Sequence, residues 1–194
     1  MSDDDTTLLA QWRAGDGKAG HTLFGRHFDR LYRFFETKCP AEADELTQTT
    51  LLSCLRAKEQ FRGESSFRTY LFTIARNELY RFLRERMKQG TQVDLEVSSI
   101  AELISTQRTR MARSEEQHAL VEALRQLPVA QQTLLELHYW EEMGIAELAV
   151  IFDCQAVTVR TRLYRARLAI RDLLERGVPP RATETLHAWS RAEE

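Results

Sequence analysis

The chain has 194 residues, room for one large or two small domains, and its 43% hydrophobic and 29% charged residues supply real cores under a well-solvated surface. Glycine (8) and proline (4) are scarce, which argues against an all-β or low-complexity chain. No apolar stretch is long enough to span a bilayer, and the acidic start Met1-Ser2-Asp3-Asp4-Asp5 is unlike a secretory signal, so a soluble protein that stays in the cytoplasm is expected. The net charge of −2 is the average of segregated charge: basic residues outnumber acidic ones from Arg56 to Lys88, and Arg160 to Arg171 holds five arginines and no acid. Such local basic faces suit nucleic acid better than the mean charge does. Three cysteines (Cys39, Cys54, Cys154) and five histidines are scattered, which fits a reducing compartment and gives neither a disulfide framework nor metal-ligand spacing; no cofactor or metal is expected.

In chain order, the pattern is helical from Leu8 to about Lys88. Leu23, Phe24, His27, Phe28, Leu31, Phe34 and Phe35 recur at intervals of three and four, the mark of one buried helical face. After the Cys39-Pro40 break, a helix is expected from about Ala43 to Lys58, with Leu46, Thr50, Leu51, Cys54 and Leu55 inward. Its other stripe, Glu45, Gln48, Thr49, Leu52 and Arg56, is either ordinary surface or a face for a partner helix.

The segment Phe61-Arg62-Gly63-Glu64-Ser65-Ser66 then interrupts with a glycine and two candidate serine caps. A helix from about Phe67 to Lys88 follows, its inward side Phe67, Leu71, Ile74, Ala75, Phe82 and Leu83. Opposite lie Thr73, Arg76, Asn77, Tyr80, Arg84 and Lys88, with Phe61 and Tyr70 at its start. Aromatic rings among cations suit single-stranded DNA, where bases offer faces for stacking and the backbone needs positive charge. The Gly63 loop could accept a base rotated out of its stack. Phe61 and Tyr70 equally suit the core or its rim.

Residues 89 to 114 lose regularity and read as a linker, with a helical turn at Ile100 to Ile104, and a second compact unit spans 115 to 177. Within it, Gly144 to Phe152 reads as a short helix, Asp153-Cys154-Gln155 as a turn and Ala156 to Arg167 as a second helix, together a helix-turn-helix. Val159, Leu163, Ala166 and Ile170 form the inward stripe, leaving Thr158, Arg160, Thr161, Arg162, Arg165 and Arg167 outward. Guanidinium forks match the acceptor edge of guanine in the major groove, and further arginines hold phosphates. A solvated arginine-rich helix would normally carry balancing acids, absent here until Asp172. Val178-Pro179-Pro180 ends the unit, and the 178–194 tail is too short and polar for a domain. The expected fold is all-α: two small helical domains joined by a flexible linker, the C-terminal one a helix-turn-helix.

These segments resemble a known family. Ala43-Asp44-Glu45-Leu46-Thr47-Gln48-Thr49-Thr50-Leu51-Leu52 is similar to the polymerase-binding helix of sigma factors. Phe61 to Asn77 resembles the segment that captures the melted −10 element. Leu124-Arg125-Gln126-Leu127-Pro128 with the helix-turn-helix resembles the domain that reads the −35 element. The order, without a middle domain, is that of the extracytoplasmic-function (ECF) type. The departures are Glu45 for a usual Asp, Thr49 for a common acid, Tyr70 for a frequent Trp, and Gly144 and Asp153 for a common serine and glycine.

The resemblance implies a subunit that directs core RNA polymerase to promoters and melts them. Residues 1–88 would bind the polymerase and the −10 element, 115–177 the −35 element. Glu45, Gln48, Thr49 and Leu52 would meet the clamp helices of β′, and the β flap would be a further contact. Phe61, Arg62, Gly63, Ser65, Ser66, Tyr70, Arg76, Asn77 and Tyr80 would serve −10 capture. Thr158, Arg160, Thr161, Arg162, Arg165 and Arg167 would serve −35 reading. Promoter DNA and core polymerase are the expected partners, an anti-sigma factor a candidate one, and catalysis is left to the core enzyme. A free-standing helix-turn-helix regulator would leave the aromatic–basic helix and the Gln48 face unexplained, and the chain has no coiled-coil heptads for dimerisation. An enzyme would need a phosphate loop, ligand set or nucleophile motif; His138, Glu141 and Glu142 are only close in sequence.

Overall fold

The computed structural model describes residues 3–57, 61, 63, 65–86, 94–104 and 115–177. Every regular element among them is a helix: α1 (Asp3–Arg13), α2 (Gly17–Glu36), α3 (Ala43–Arg56), α4 (Phe67–Arg86), α5 (Ile100–Leu103), α6 (Glu115–Gln126), α7 (Val129–Tyr139), α8 (Ile145–Ile151) and α9 (Ala156–Gly177).

The first unit is α1 to α4. Gly15, at φ +104, turns the chain out of α1, and the Asp16 carboxylate then caps α2 by accepting from the backbone N–H of Lys18 (2.8 Å) and Ala19 (3.2 Å). Helix α1 lies so close to α2 that a Cβ on Gly20 would come within 2.3 Å of the Trp12 ring. Leu23, His27, Leu31, Phe34 and Phe35 face inward from α2, and Phe34 meets Phe72 of α4 edge-on at 5.6 Å. Phe28 departs from the expected stripe: it is 40% exposed and stacks on Tyr32. In α3, buried Thr47 and Thr50 satisfy their hydroxyls on the carbonyls of Ala43 and Leu46, so a polar side chain is tolerated in the core. Leu55, expected inward, is 49% exposed; the buried side of α3 is Ala43, Leu46, Thr47, Thr50 and Cys54.

The second unit is α6 to α9, with residues 94–104 stitched to it. Val129 N–H donates to Ser98 and Ala130 N–H to Leu95, while Ser99 and Glu102 form a reciprocal capping box on α5. Leu95, Ile100 and Ile104 are buried. Part of the expected linker is therefore packed structure. The apolar reason is visible in retrospect, since those three residues fall at spacings of five and four.

The two units pack together. Helix α8 lies on α4, and the α2 C-terminus meets α6 and α7. Lys38, fully buried, pairs with buried Glu136, whose other oxygen accepts from Gln132 (2.8 Å). Thr37 also donates to Glu136 (3.1 Å), and the buried Arg125 guanidinium donates to the Lys38 carbonyl (3.2 Å). Burial pulls the Lys38 ammonium down despite the attraction of Glu136.

Candidate nucleic-acid and partner interfaces

The helix-turn-helix is built by its own local rules. Glu147 reaches back to accept the Gly144 N–H (3.1 Å), which leaves α8 with half a capping box because glycine has no side chain to complete it. Asp153 makes the turn at φ +48, a left-handed conformation that aspartate accepts at modest cost. Leu148, Ile151, Phe152, Val159, Leu163, Ala166 and Ile170 form the buried seam that fixes the two helices against each other.

That seam aims the outward residues of α9. Arg160, Thr161 and Arg165 are exposed, and Thr161 Oγ1 is turned back on the Val157 carbonyl (3.0 Å). Thr158, Arg162 and Arg167 are half-buried: Arg162 lies 3.7 Å from Glu96, and Arg167 donates to the Tyr139 hydroxyl (3.3 Å). Sequence reading missed Tyr164, which is 58% exposed between Thr161 and Arg165. Val157, Thr161, Tyr164 and Leu168 share one edge of the helix by their four, three, four spacing. The available signal was an aromatic that fitted neither the inward stripe nor the list of polar residues.

On α3, Glu45, Gln48 and Leu52 are exposed and Thr49 is half-buried. Leu55, one turn beyond Leu52, extends this face with a second exposed leucine. A polar start leading to two exposed leucines gives this face the chemistry on which another helix can pack.

The α4 face is more occupied than its sequence suggests. Phe61 is buried and its ring lies 4.6 Å from that of Tyr70, whose hydroxyl donates to the Ala57 carbonyl (3.1 Å). Gly63 is exposed at φ +77, Ser65 and Ser66 are half-buried, and Arg62 lies outside the described residues. Ser66 Oγ accepts the Thr69 N–H (3.0 Å) and so caps α4. Asn77 is exposed. Tyr80, expected outward, is 6% exposed, and burial pushes its phenol up. Arg76 lies over the rings of Tyr80 (4.4 Å) and Phe152 (5.0 Å) and reaches the Ile151 carbonyl (3.4 Å).

Arg68 was not anticipated either. It donates to the Glu141 carbonyl (2.9 Å) and to both carboxylate oxygens of Glu147 (3.2 Å each), beside Thr69 Oγ1, which donates to Glu147 at 3.0 Å. Partial burial works to raise the Glu147 carboxyl, but the donors Gly144, Thr69 and Arg68 outweigh it and hold it below its ordinary range. Among the described residues, no group of three or more His, Cys, Asp or Glu side chains could hold a metal ion, and no helix is long and apolar enough to cross a membrane.

Comparison with known proteins gives these faces a family setting. The model of sigma-70 region 2 matches residues 23–89 and that of sigma-70 region 4 matches residues 117–170, together more than half of the chain. The ECF RNA polymerase sigma-E factor of Haemophilus influenzae is 26% identical over 186 residues, covering 91% of this chain and 96% of that protein. That of Escherichia coli K12 is 27% identical over 175 residues, covering 86% and 92%. Among solved structures, CnrH in complex with the cytosolic domain of CnrY superposes with a TM-score of 0.66 at 22% identity, over 89% of this chain and 98% of that one. The sigma factor RpoE of Bartonella quintana, in complex with the anti-sigma factor NepR, gives 0.63 at 23% identity, over 80% and 96%.

Proposed function

We propose residue roles for a chain that belongs to the sigma-70 family and is an ECF sigma factor. Such a factor binds core RNA polymerase and directs promoter-specific initiation, reading −35 duplex and melted −10 DNA. In our reading the α9 edge enters the major groove at the −35 element. Arg160, Thr161 and Arg165 meet base edges, and Thr158, Arg162 and Arg167 lie beside them toward the phosphates. Tyr164 adds an apolar contact of the kind that meets a thymine methyl. Supporting this is the single observation that Arg160, Thr161, Tyr164 and Arg165 stand exposed together on the second helix of a helix-turn-helix.

Asn77, Arg76 and the loop from Arg62 to Ser66 hold unpaired bases and backbone of the −10 strand, with Phe61, Tyr70 and Tyr80 as the aromatic frame behind them. Glu45, Gln48, Thr49 and Leu52, joined by Leu55, dock the β′ clamp helices. The division is 1–88 for polymerase and −10 binding, 89–114 as connector, 115–177 for −35 reading and the β flap, and 178–194 as a tail. The protein acts in the cytoplasm without catalysing a reaction, and an anti-sigma factor is a fitting regulator, since the structural relative RpoE is seen with one.

The deciding experiment is run-off transcription with purified core polymerase. The chain and core together should form open complexes at a promoter that neither opens alone. Tight promoter binding by the isolated chain, indifferent to core polymerase, would instead make it a free-standing regulator.

A further inference from the structure

Phe67 is the first residue of α4 and stands directly after Ser65 and Ser66, two residues read above as serving −10 capture. We propose that α1 positions this junction through the Asp5–His27 pair, which makes Asp5 and His27 positioning residues for capture of the melted −10 strand although neither touches it. The inference rests on the strand-binding reading of Ser65, Ser66 and α4.

The line of contacts begins at one carboxylate. Asp5 Oδ1 accepts from Arg26 (3.1 Å) and Asp5 Oδ2 from His27 Nε2 (3.0 Å), so the carboxylate joins α1 to α2. A carboxylate only accepts, which fixes the proton of neutral His27 on Nε2 and leaves Nδ1 bare. The His27 side chain is 6% exposed, and its ring lies 5.5 Å from that of Phe67. A second line runs beside the first: Trp12 of α1 meets Phe24 edge-on at 5.0 Å, and Phe24 meets Phe67 at 5.9 Å. Phe67, 3% exposed, is thus braced from α1 along two routes. Next to it, Ser66 Oγ accepts the Thr69 N–H at 3.0 Å, and a shift of Phe67 carries that cap with it. Strand capture needs its groups held in place before a base arrives, so a small displacement of Phe67 is felt in affinity.

The pair also makes the brace sensitive to acid. His27 Nδ1 is buried and has no hydrogen-bond partner among the described residues, so a proton placed there becomes a buried donor without an acceptor. The charges that face the ring are Asp5 from α1, Arg30 from α2 and Arg68 from α4, and the one anion among them is already shared with Arg26. Burial pulls the imidazole down from 6.5; Asp5 opposes the shift, and Arg30 and Arg68 add to it. The brace therefore holds above 6.5 and loosens as pH falls below it.

The test uses holoenzyme assembled from the full chain and core polymerase, with a fluorescent single-stranded DNA 12-mer selected from a random pool by the parent holoenzyme. Anisotropy gives the affinity between about pH 5.5 and 8, the range in which histidine changes charge. Asp5→Ala should bind the 12-mer about three- to tenfold more weakly at neutral pH, the equivalent of one net hydrogen bond, with holoenzyme yield and circular dichroism unchanged. His27→Gln puts an amide N–H where Nε2–H was and takes no proton. It should bind close to the parent at neutral pH and lose the parent's fall in affinity below 6.5. Three results overturn the proposal: Asp5→Ala binding as the parent does, Asp5→Ala losing holoenzyme yield or helicity in step with the strand, or His27→Gln keeping the parent's pH profile. Asn77→Ala separates the levels. If it weakens 12-mer binding while the Asp5 and His27 variants are silent, only the positioning by α1 fails; if it too is silent, the strand-binding reading of α4 fails with it.

Discussion

Lys38→Met puts the contact between the two units to a quantitative test. Lys38 Nζ is fully buried, bonded to Glu136 and to the Phe34 carbonyl (2.9 Å), and lies 4.0 Å from the Phe34 ring centroid. Methionine keeps the apolar stem and removes only the charge and its donors. Glu136, 3% exposed, would then be a buried carboxylate served, among the described residues, by Thr37 and Gln132. Breaking a buried pair from one side costs about 3–5 kcal/mol. Because the partners sit just past the end of α2 and on α7, the penalty falls on docking of the units before it falls on either core. Removing both charges, as in Lys38→Met with Glu136→Leu, leaves an apolar contact and should recover most of the loss, a coupling on the order of 2–3 kcal/mol. Urea unfolding followed by circular dichroism gives the free energies, and scattering shows whether the units part. The reasoning is refuted if Lys38→Met is as stable and compact as the parent, or if the double variant is no better than the single one.

On α9, Arg160→Ala and Arg165→Ala should each cost about 1–3 kcal/mol at the −35 element and relax selectivity at one base pair, measured by gel shift of holoenzyme on base-substituted duplexes. Arg167→Ala should weaken all sequences alike and also lower the melting temperature, because Arg167 holds the Tyr139 hydroxyl; an unchanged melting temperature would argue against that structural part. Gln48→Ala and Leu52→Glu should reduce holoenzyme yield on size-exclusion chromatography with circular dichroism unchanged, since both side chains are exposed; wild-type yield would remove the clamp assignment. His27 is buried against Phe67, and burial lowers its pKa below 6.5 even though Asp5, at 3.0 Å from Nε2, opposes the shift and Arg30 and Arg68 reinforce it. A lowered folded pKa makes the unfolded chain the better proton acceptor, so stability present above 6.5 should drain away as pH falls below it. His27→Gln should flatten that part of the melting-temperature profile; equal slopes in both proteins would count against it.

Much of this molecule was legible along the chain. Periodicities of three and four in Leu23 to Phe35 and Val159 to Ile170 announce helices because a helix brings those positions to one side, and each such run does bury its stripe, apart from half-buried Phe24 and exposed Phe28. The helix-turn-helix was equally legible, since its cap, its left-handed Asp153 and its seam are local features. Where the sequence was silent, the deciding contact joins residues far apart. Tyr80 is buried and Arg76 is half-buried because α8 lies on α4, and no spacing within either helix encodes that. Nothing in the spacing of Lys38, Arg125 and Glu136 marks them for burial; the α2 C-terminus, α6 and α7 close around them. Glu147 reads as a helix cap, and only tertiary packing gives its carboxylate Arg68 as a second partner. Helical periodicity records which side of an element is apolar; which charged groups lose their water depends on how the two units meet.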